Sequence, residues 1–139
     1  LKIASALNEK GEHLDLELIQ GAGLIHDIAR VDDRHWEIGA DIASNFGYKQ
    51  EADIIRVHMH YIYDQLKSSI NETDIICFAD RMVKEDEYVG LENRMQYILD
   101  KFKGNKEAIE RISERITDNK ALIRRIEKII GTSIDSLMR

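Results

Sequence analysis

The sequence predicts an all-α protein, and three observations support this fold class. Proline is absent from all 139 residues, so no helix interior is interrupted by a missing backbone donor. The eight glycines are never adjacent to one another, so they form no glycine-rich loop. Apolar residues recur at intervals of three and four, which is the spacing of one helix face. We therefore expect one helical domain over residues 1–139, long enough to bury a core.

Composition and charge exclude several classes of protein. The net charge of −6 argues against a general nucleic-acid binder. No run approaches 18 apolar residues and no charged-then-apolar leader opens the chain, so we expect neither a membrane span nor a membrane partner. The single cysteine, Cys77, excludes an internal disulfide. Together these features predict a cytoplasmic protein.

The first half of the chain divides into four predicted helices. "LKIASALN" has the pattern of the last turns of a helix, with Asn8 as its stop. A helix is expected over 15–29, followed by the polar loop "RVDDR", in which Asp32 or Asp33 can cap the next helix. That helix is expected from about 35 to 46, before Gly47. The fourth carries an apolar face formed by Ala52, Ile55, His58 and Ile62.

The second half begins with a polar loop over 64–73 and continues with a helix over "TDIICFADRMV". Two further helices are expected near 91–103 and 105–130. The long last helix carries a heptad-like seam of seven residues, namely Ile109, Ile112, Ile116, Asn119, Ile123, Ile126 and Ile130. Such a seam can pair two copies into a homodimer, but we favour packing against the chain's own helices.

Metal-capable side chains stand at or beside the buried face of four consecutive predicted helices. The pair His26–Asp27 ends one helix, His35 opens the next, His58 lies among isoleucines, and Asp80 follows Ala79. Each buried polar group costs a few kcal/mol without a partner. The polar residues could be incidental in a helical bundle, but a shared metal centre would satisfy all of them at once.

Imidazole and carboxylate ligands, without clustered cysteines, suit a catalytic metal rather than a structural zinc. The expected cofactor is one or two divalent ions, drawn from Mn, Fe, Ni, Co, Zn or Mg. Two ions about 3.5–4 Å apart would polarise a phosphoryl oxygen and activate a bridging water. The constellation therefore predicts phosphoester hydrolysis.

Four segments carry a family resemblance, in the order "GAGLIHDIAR", "HWEIGADIASNFGY", "ADIIRVHMHY" and "DIICFADRMV". Together they resemble the HD-domain metal-dependent phosphohydrolases, which implies a compact HD-domain helical bundle, here with a long C-terminal helix. More narrowly, "ADR" followed by "VKEDEYVGLENR" resembles HD domains fused behind molybdenum-cofactor-type nucleotidyltransferases. That narrower resemblance implies an upstream nucleotidyltransferase domain.

The resemblance also implies roles for individual residues. His26, Asp27 and Asp80 match the core metal ligands, with Asp27 as the expected bridge, and His35 and His58 match the ligands of a second metal. Arg30 stands where many relatives have lysine, and either contacts a substrate phosphate or is a solvated residue at a helix end. Two histidines lie outside the ligand pattern. His60 is expected at the pocket rim or in contact with substrate, and His13 is expected at the surface.

The family pattern has one more histidine, on a helix upstream of "LKIASALN". We expect the natural chain to continue in that direction, and a site without that ligand to bind its first metal more weakly. The predicted activity is hydrolysis of a small phosphate ester or nucleotide, with Asp27 and Arg30 as catalytic residues. Two alternatives remain open, namely a regulatory or ligand-binding HD module attached to a nucleotidyltransferase and di-iron oxygen chemistry.

Overall fold

Eight helices and one short hairpin form the computed structural model, which describes all of residues 1–139. In chain order the elements are α1 (Lys2–Glu9), α2 (Leu16–Ile25), α3 (His35–Asn45), α4 (Lys49–Val57), α5 (Glu72–Asp80), β1 (Val83–Lys84), β2 (Glu87–Tyr88), α6 (Leu91–Lys101), α7 (Lys106–Ile130) and α8 (Ile134–Met138). The two strands pair antiparallel, Val83 with Tyr88 and Lys84 with Glu87. The all-α prediction is confirmed.

Polar side chains set the starts of four helices. Asp15, Asn71, Asn105 and Ser133 each accept a hydrogen bond from a backbone N–H in the first turn of α2, α5, α7 and α8. At α5 the cap is reciprocal, because Asp74 also accepts from the backbone N–H of Asn71. Such caps satisfy donors that have no partner within the helix.

Two helices end earlier than the sequence predicts. The helix expected to reach residue 29 ends at Ile25, and the one expected to include Ile62 ends at Val57. In both cases the next residue is a histidine whose Nδ1 donates to a carbonyl three residues back, Gly23 for His26 and Ile55 for His58. These imidazoles take carbonyls that a continuing helix would use, so each histidine terminates its helix.

The predicted cap of α3 is wrong. Neither Asp32 nor Asp33 caps the helix; the N-cap residue is Arg34, which has no side-chain cap bond and a left-handed backbone with φ of 56°. The chain from residue 26 to 32 instead follows successive i→i+3 hydrogen bonds, which bring the start of α3 back toward the end of α2. Local propensity therefore does not decide this connection.

Three further differences concern irregular segments. The loop predicted over 64–73 runs from the end of α4 to Asn71, so α5 begins within the segment that was predicted as loop. The hairpin over 83–88 and the short helix α8 were not predicted. Both elements are only a few residues long, and segments of this length carry too little periodic signal to be recognised.

The main core contains apolar side chains of α1, α2, α4, α5, α6, α7 and α8. The buried face of α7 consists of Ala108, Asn119, Leu122, Ile126 and Ile130, and α7 packs against α1, α6 and α8. The predicted seam thus lies largely against the chain's own helices, as we favoured. None of the eight helices is both long and apolar enough to cross a membrane.

A second, smaller core joins α3 to α4 through three alanines and one isoleucine, namely Ala40, Ala43, Ala52 and Ile55. Gly39 belongs to the same contact, because a Cβ at this position would lie 3.4 Å from methyl groups of Ile28 and Ile55. Small residues let the two helices approach closely. This approach brings the first residue of α3 near the last turn of α4, where two of the predicted ligands lie.

Candidate metal centre

All five predicted metal ligands lie at helix ends that meet in one place. His26 and Asp27 follow α2, His35 is the first residue of α3, and His58 follows α4. Asp80 is the last residue of α5. Three of these ends are helix C-termini, where the backbone dipoles place partial negative charge. The fold thus favours a cation at this point before any side chain is considered.

Asp27 lies at the centre of three imidazoles. One carboxylate oxygen, Oδ1, is 3.7 Å from Nε2 of His35 and 3.7 Å from Nε2 of His58. The other oxygen, Oδ2, is 3.6 Å from Nε2 of His26. These separations exceed the usual length of a hydrogen bond. They are close to the spacing of about 3.4 Å between two ligand atoms of a tetrahedral ion with bonds of about 2.1 Å.

The outer edge of the site is formed by Asp80. Its Oδ1 lies 3.3 Å from Nε2 of His26, so that imidazole stands between the two carboxylates. The potential ligand atoms therefore form two overlapping groups that share Asp27. His35 and His58 face one oxygen of Asp27, whereas His26 and Asp80 lie on the side of the other.

Hydrogen bonds to backbone carbonyls orient two of the imidazoles. Nδ1 of His26 donates to the carbonyl of Gly23 at 2.8 Å, and Nδ1 of His58 donates to that of Ile55 at 2.6 Å. Since a carbonyl can only accept, Nδ1 of each ring carries a proton. Nε2 of each ring then faces Asp27. A carbonyl partner of this kind is the usual way in which proteins orient a histidine that binds metal through its other nitrogen.

The two imidazoles differ in their electrostatics. The hydrogen bond to Asp80 raises the pKa of His26 to about 9, and burial opposes this only partly. Burial lowers the pKa of His58, whose side chain is 1% exposed. Burial would raise the pKa of Asp80, but the hydrogen bond and positive charge of His26 outweigh it, so that this pKa is lowered.

One buried atom tests whether these residues fit a metal ion. Nε2 of His58 is fully buried and has no hydrogen-bond partner. A buried polar atom without a partner costs about 1–3 kcal/mol. Asp27, His35 and His58 each offer one potential ligand atom, and these three atoms lie within 4.8 Å of one another. A divalent cation held by these three residues would supply the missing partner, so the donor set and its geometry fit a metal.

A cavity of about 500 Å³ opens beside the site. His26, Asp27 and Asp80 lie in its wall, whereas His35 and His58 do not. Much of the remaining lining is apolar and includes Ile19, Leu24, Ile75, Ile76 and Val83. This volume suits a small organic molecule, with the carboxylates and imidazole at one end.

The remaining candidates from the sequence have different positions. Arg30 is exposed and lines the 500 Å³ cavity, where it can reach a substrate. His60 is exposed and packs against Trp36 with ring centroids 4.9 Å apart. It is not among the residues that line the two cavities described beside the site. His13 is exposed, as predicted.

Sequence reasoning missed three arginines close to the site. Arg94, from α6, lines the 500 Å³ cavity together with Asp80. Arg81 and Arg115 join it around a second, smaller cavity. Arg81 could have been noticed beside Asp80 in the sequence. Nothing in the local pattern marks the other two, because they come from helices far along the chain.

Residues 1–85 match the HD domain family. The chain belongs to the HD domain family. The match covers more than half of the chain and includes all five residues of the metal centre. Most HD domains are metal-dependent hydrolases, and HD domains bind divalent metals. Comparison with curated proteins and with solved structures finds no match to this chain.

Proposed function

We propose that this HD domain is a divalent-metal-dependent phosphohydrolase that acts on a small phosphate ester or nucleotide. The observation that carries the proposal is the unpartnered, buried Nε2 of His58, which faces the carboxylate of Asp27. A structural histidine in a core would normally have both nitrogens satisfied. A metal ligand needs one nitrogen free, as this one is.

The five residues divide into two proposed groups of ligands. His26, Asp27 and Asp80 hold a first ion, and His35 and His58 hold a second together with Asp27. The support for Asp27 as the bridge is that each of its oxygens faces a different set of imidazoles. When bound, divalent cations in such a site supply Lewis acidity and lower the pKa of a coordinated water toward neutrality.

The cavity supports the choice of a small phosphorylated substrate. Its apolar wall would hold the organic part, and the exposed Arg30, which also lines the cavity, would contact a phosphate oxygen. Asp27, which lies among the three imidazoles in the wall of this cavity, would position the metal ligands next to the substrate phosphate. A guanidinium is well suited to a phosphate because its planar donors match two oxygens at once.

Metal analysis of purified variants tests the ligand assignment. Asp27→Ala and His26→Ala should abolish metal retention without unfolding the domain. Two exposed residues, Asp53 and His13, provide matched controls, and Asp53→Ala and His13→Ala should retain the wild-type metal content. Equal metal in the wild type and in both site variants would show that the ligands are assigned wrongly.

A second measurement tests the binuclear arrangement. His35→Ala and His58→Ala should retain about one ion where the wild type retains two, and should lose turnover more completely than first-ion binding. Mn²⁺-dependent hydrolysis is assayed on a panel of phosphomonoesters and nucleotides. A Mn²⁺-soaked crystal in which both imidazoles point away from every ion would contradict the two-ion site.

The same assays separate the alternatives. Retained metal without hydrolysis of any member of the panel would favour a regulatory or ligand-binding module, which is also what the narrower resemblance to nucleotidyltransferase-fused HD domains implies. Bound iron with oxygen-dependent turnover would indicate di-iron oxygen chemistry. Hydrolysis that requires Mn²⁺ or another divalent ion and is independent of oxygen supports the phosphohydrolase.

A further inference from the structure

A second cavity, of about 170 Å³, adjoins the metal centre on the side of α6 and α7. His58 and Asp80 form part of its wall, and methionine and isoleucine side chains form another part. Three arginines complete it, namely Arg81 after α5, Arg94 on α6 and Arg115 on α7. We refer to it as the arginine cavity. Its lining brings three guanidinium groups to one small space.

None of these three arginines forms an ion pair with an acidic side chain. Arg81 donates through Nη2 to the carbonyl of Tyr61, but its buried Nη1 has no acceptor. Nε of Arg94 is also buried without an acceptor. The only acidic residue in the wall is Asp80, which is hydrogen-bonded to His26. The cavity therefore has uncompensated positive charge and unused donors.

Such an arrangement is costly without an anionic ligand. Each buried donor without an acceptor has lost its hydrogen bond to water and gained none in return, and the cost is larger when the group is charged. The three guanidinium charges also repel one another, because they line the same small cavity. A bound anion with several acceptor oxygens would satisfy the free donors and relieve this repulsion. Phosphate fits best, because guanidinium groups bind it through paired, charge-assisted hydrogen bonds.

We propose that the arginine cavity binds a second phosphate group of the substrate, next to the one that is hydrolysed. This inference rests on the proposed function of the metal centre. Asp80 and Arg94 line both cavities, so the arginine cavity and the 500 Å³ cavity meet beside the predicted ligands. The substrate class is then a small molecule with at least two phosphate groups, such as a nucleoside diphosphate, whose organic part occupies the larger, more apolar cavity.

The first experiment measures pyrophosphate binding to the metal-free protein by calorimetry, so that only the protein's own groups contribute. Arg115 has no side-chain hydrogen bond or ion pair, and Arg115→Gln should weaken binding by about tenfold or more. Arg124→Gln is the matched control, because Arg124 lies on the same helix, is exposed and lines neither cavity. It removes the same charge and should change the affinity less than twofold.

A second variant guards against an effect of misfolding. Arg94→Gln should also weaken pyrophosphate binding by about tenfold, while circular dichroism remains that of the wild type and thermal unfolding stays a single cooperative transition at no lower temperature. Wild-type affinity in both Arg115→Gln and Arg94→Gln would overturn the arginine cavity as an anion site. An equal loss in Arg124→Gln would also overturn it, since the loss would then reflect net charge alone.

Steady-state kinetics of the Mn²⁺-loaded protein distinguish a substrate phosphate from free phosphate. Arg115→Gln should raise KM for adenosine diphosphate about tenfold and leave KM for adenosine monophosphate within twofold. If both KM values are unchanged while inhibition by inorganic phosphate weakens tenfold, the cavity binds free phosphate and the second-phosphate proposal is wrong. If no substrate is hydrolysed, the proposed function is wrong and the second-phosphate proposal, which rests on it, is wrong as well. The pyrophosphate measurement then still decides whether the arginine cavity binds anions.

Discussion

Two polar clusters lie at opposite ends of the same helix, α5, and they differ in how their atoms are satisfied. The Asp74 cluster, at the first turn, consists of Tyr61, Lys67, Asn71 and Asp74. The Asp27 cluster, at the last turn, consists of His26, Asp27, His35, His58 and Asp80. Both place carboxylates in or beside the core, where an unpaired charge is expensive.

In the Asp74 cluster the buried carboxylate has a full set of partners. Asp74 accepts from the hydroxyl of Tyr61, from Nζ of Lys67 and from the backbone N–H of Asn71. In the Asp27 cluster the imidazole nitrogens stand 3.6–3.7 Å from the Asp27 carboxylate, and Nε2 of His58 has no partner. A satisfied polar cluster stabilises the fold, whereas an unsatisfied one at a cavity indicates a missing ligand.

The largest effect on stability is expected from the Asp74 cluster. Asp74→Ala should lower the free energy of unfolding by about 3 kcal/mol, since it leaves Lys67 and Tyr61 without a partner and removes half of the α5 cap. Urea unfolding measures the change, with Asp53→Ala as an exposed control that should shift it by less than about 0.5 kcal/mol. Equal stability of Asp74→Ala and the control would show that the cluster is not structural.

Metal addition should stabilise the protein only through the Asp27 cluster. At a Mn²⁺ concentration about 100 times its Kd, the free energy of unfolding should rise by about 2.7 kcal/mol, because the ion binds the folded state alone. Asp27→Asn should lose this gain. Thermal unfolding with and without Mn²⁺ measures this rise in stability, and a chelator that removes the ion should reverse it. The same gain in wild type and variant would place the ion elsewhere.

The unpartnered nitrogen of His58 predicts that replacing this residue makes the metal-free protein more stable but weakens metal binding. In the metal-free protein His58→Leu should raise the free energy of unfolding by about 1 kcal/mol, because it removes a buried, unsatisfied polar atom. The same variant should lose retention of the second ion. His13→Leu, at an exposed position, should change neither property. A loss of about 2 kcal/mol or more on His58→Leu would mean that the imidazole stabilises the fold without metal.

The smallest effect is expected at Cys77, which lies on α5 between the two clusters. Burial raises the pKa of its thiol to about 12, so the thiol should react slowly with a disulfide reagent in the native protein. Asp27→Asn should leave this rate unchanged within about twofold, whereas Asp74→Ala should speed it by loosening the start of α5. Accelerated labelling in metal-free Asp27→Asn would show that the Asp27 cluster also holds α5 in place.

Much of the architecture could be predicted from local patterns. The helix spacing of apolar residues and the absence of proline indicated the all-α class, and the long helix was predicted over 105–130, close to α7. Boundaries at α2 and α4 were not predictable, because a histidine side chain ends each helix through its own hydrogen bond. Such a side-chain bond leaves no mark in the spacing of apolar residues, on which the predicted bounds rested.

The sequence predicted which residues form the candidate metal site better than it predicted how those residues and their neighbours are placed in space. His26, Asp27, His35, His58 and Asp80 stood out as metal-capable residues at four successive helix ends, and the structure brings all five together. The arginines were missed because a charged residue on a helix is usually a solvated one. Only the packing of α6 and α7 beside α5 turns Arg94 and Arg115 into the wall of a cavity.

The sequence by itself determined which residue types were present at the helix ends, and hence that hard or borderline metal ligands were available. It also determined the helical class, because residue spacing along one face is a local property. The tertiary structure alone decided that Nε2 of His58 is buried without a partner, that Asp27 faces three imidazoles, and that three arginines share one cavity. The physical reason is that burial and desolvation depend on which helices pack together, and those contacts join residues far apart in the chain.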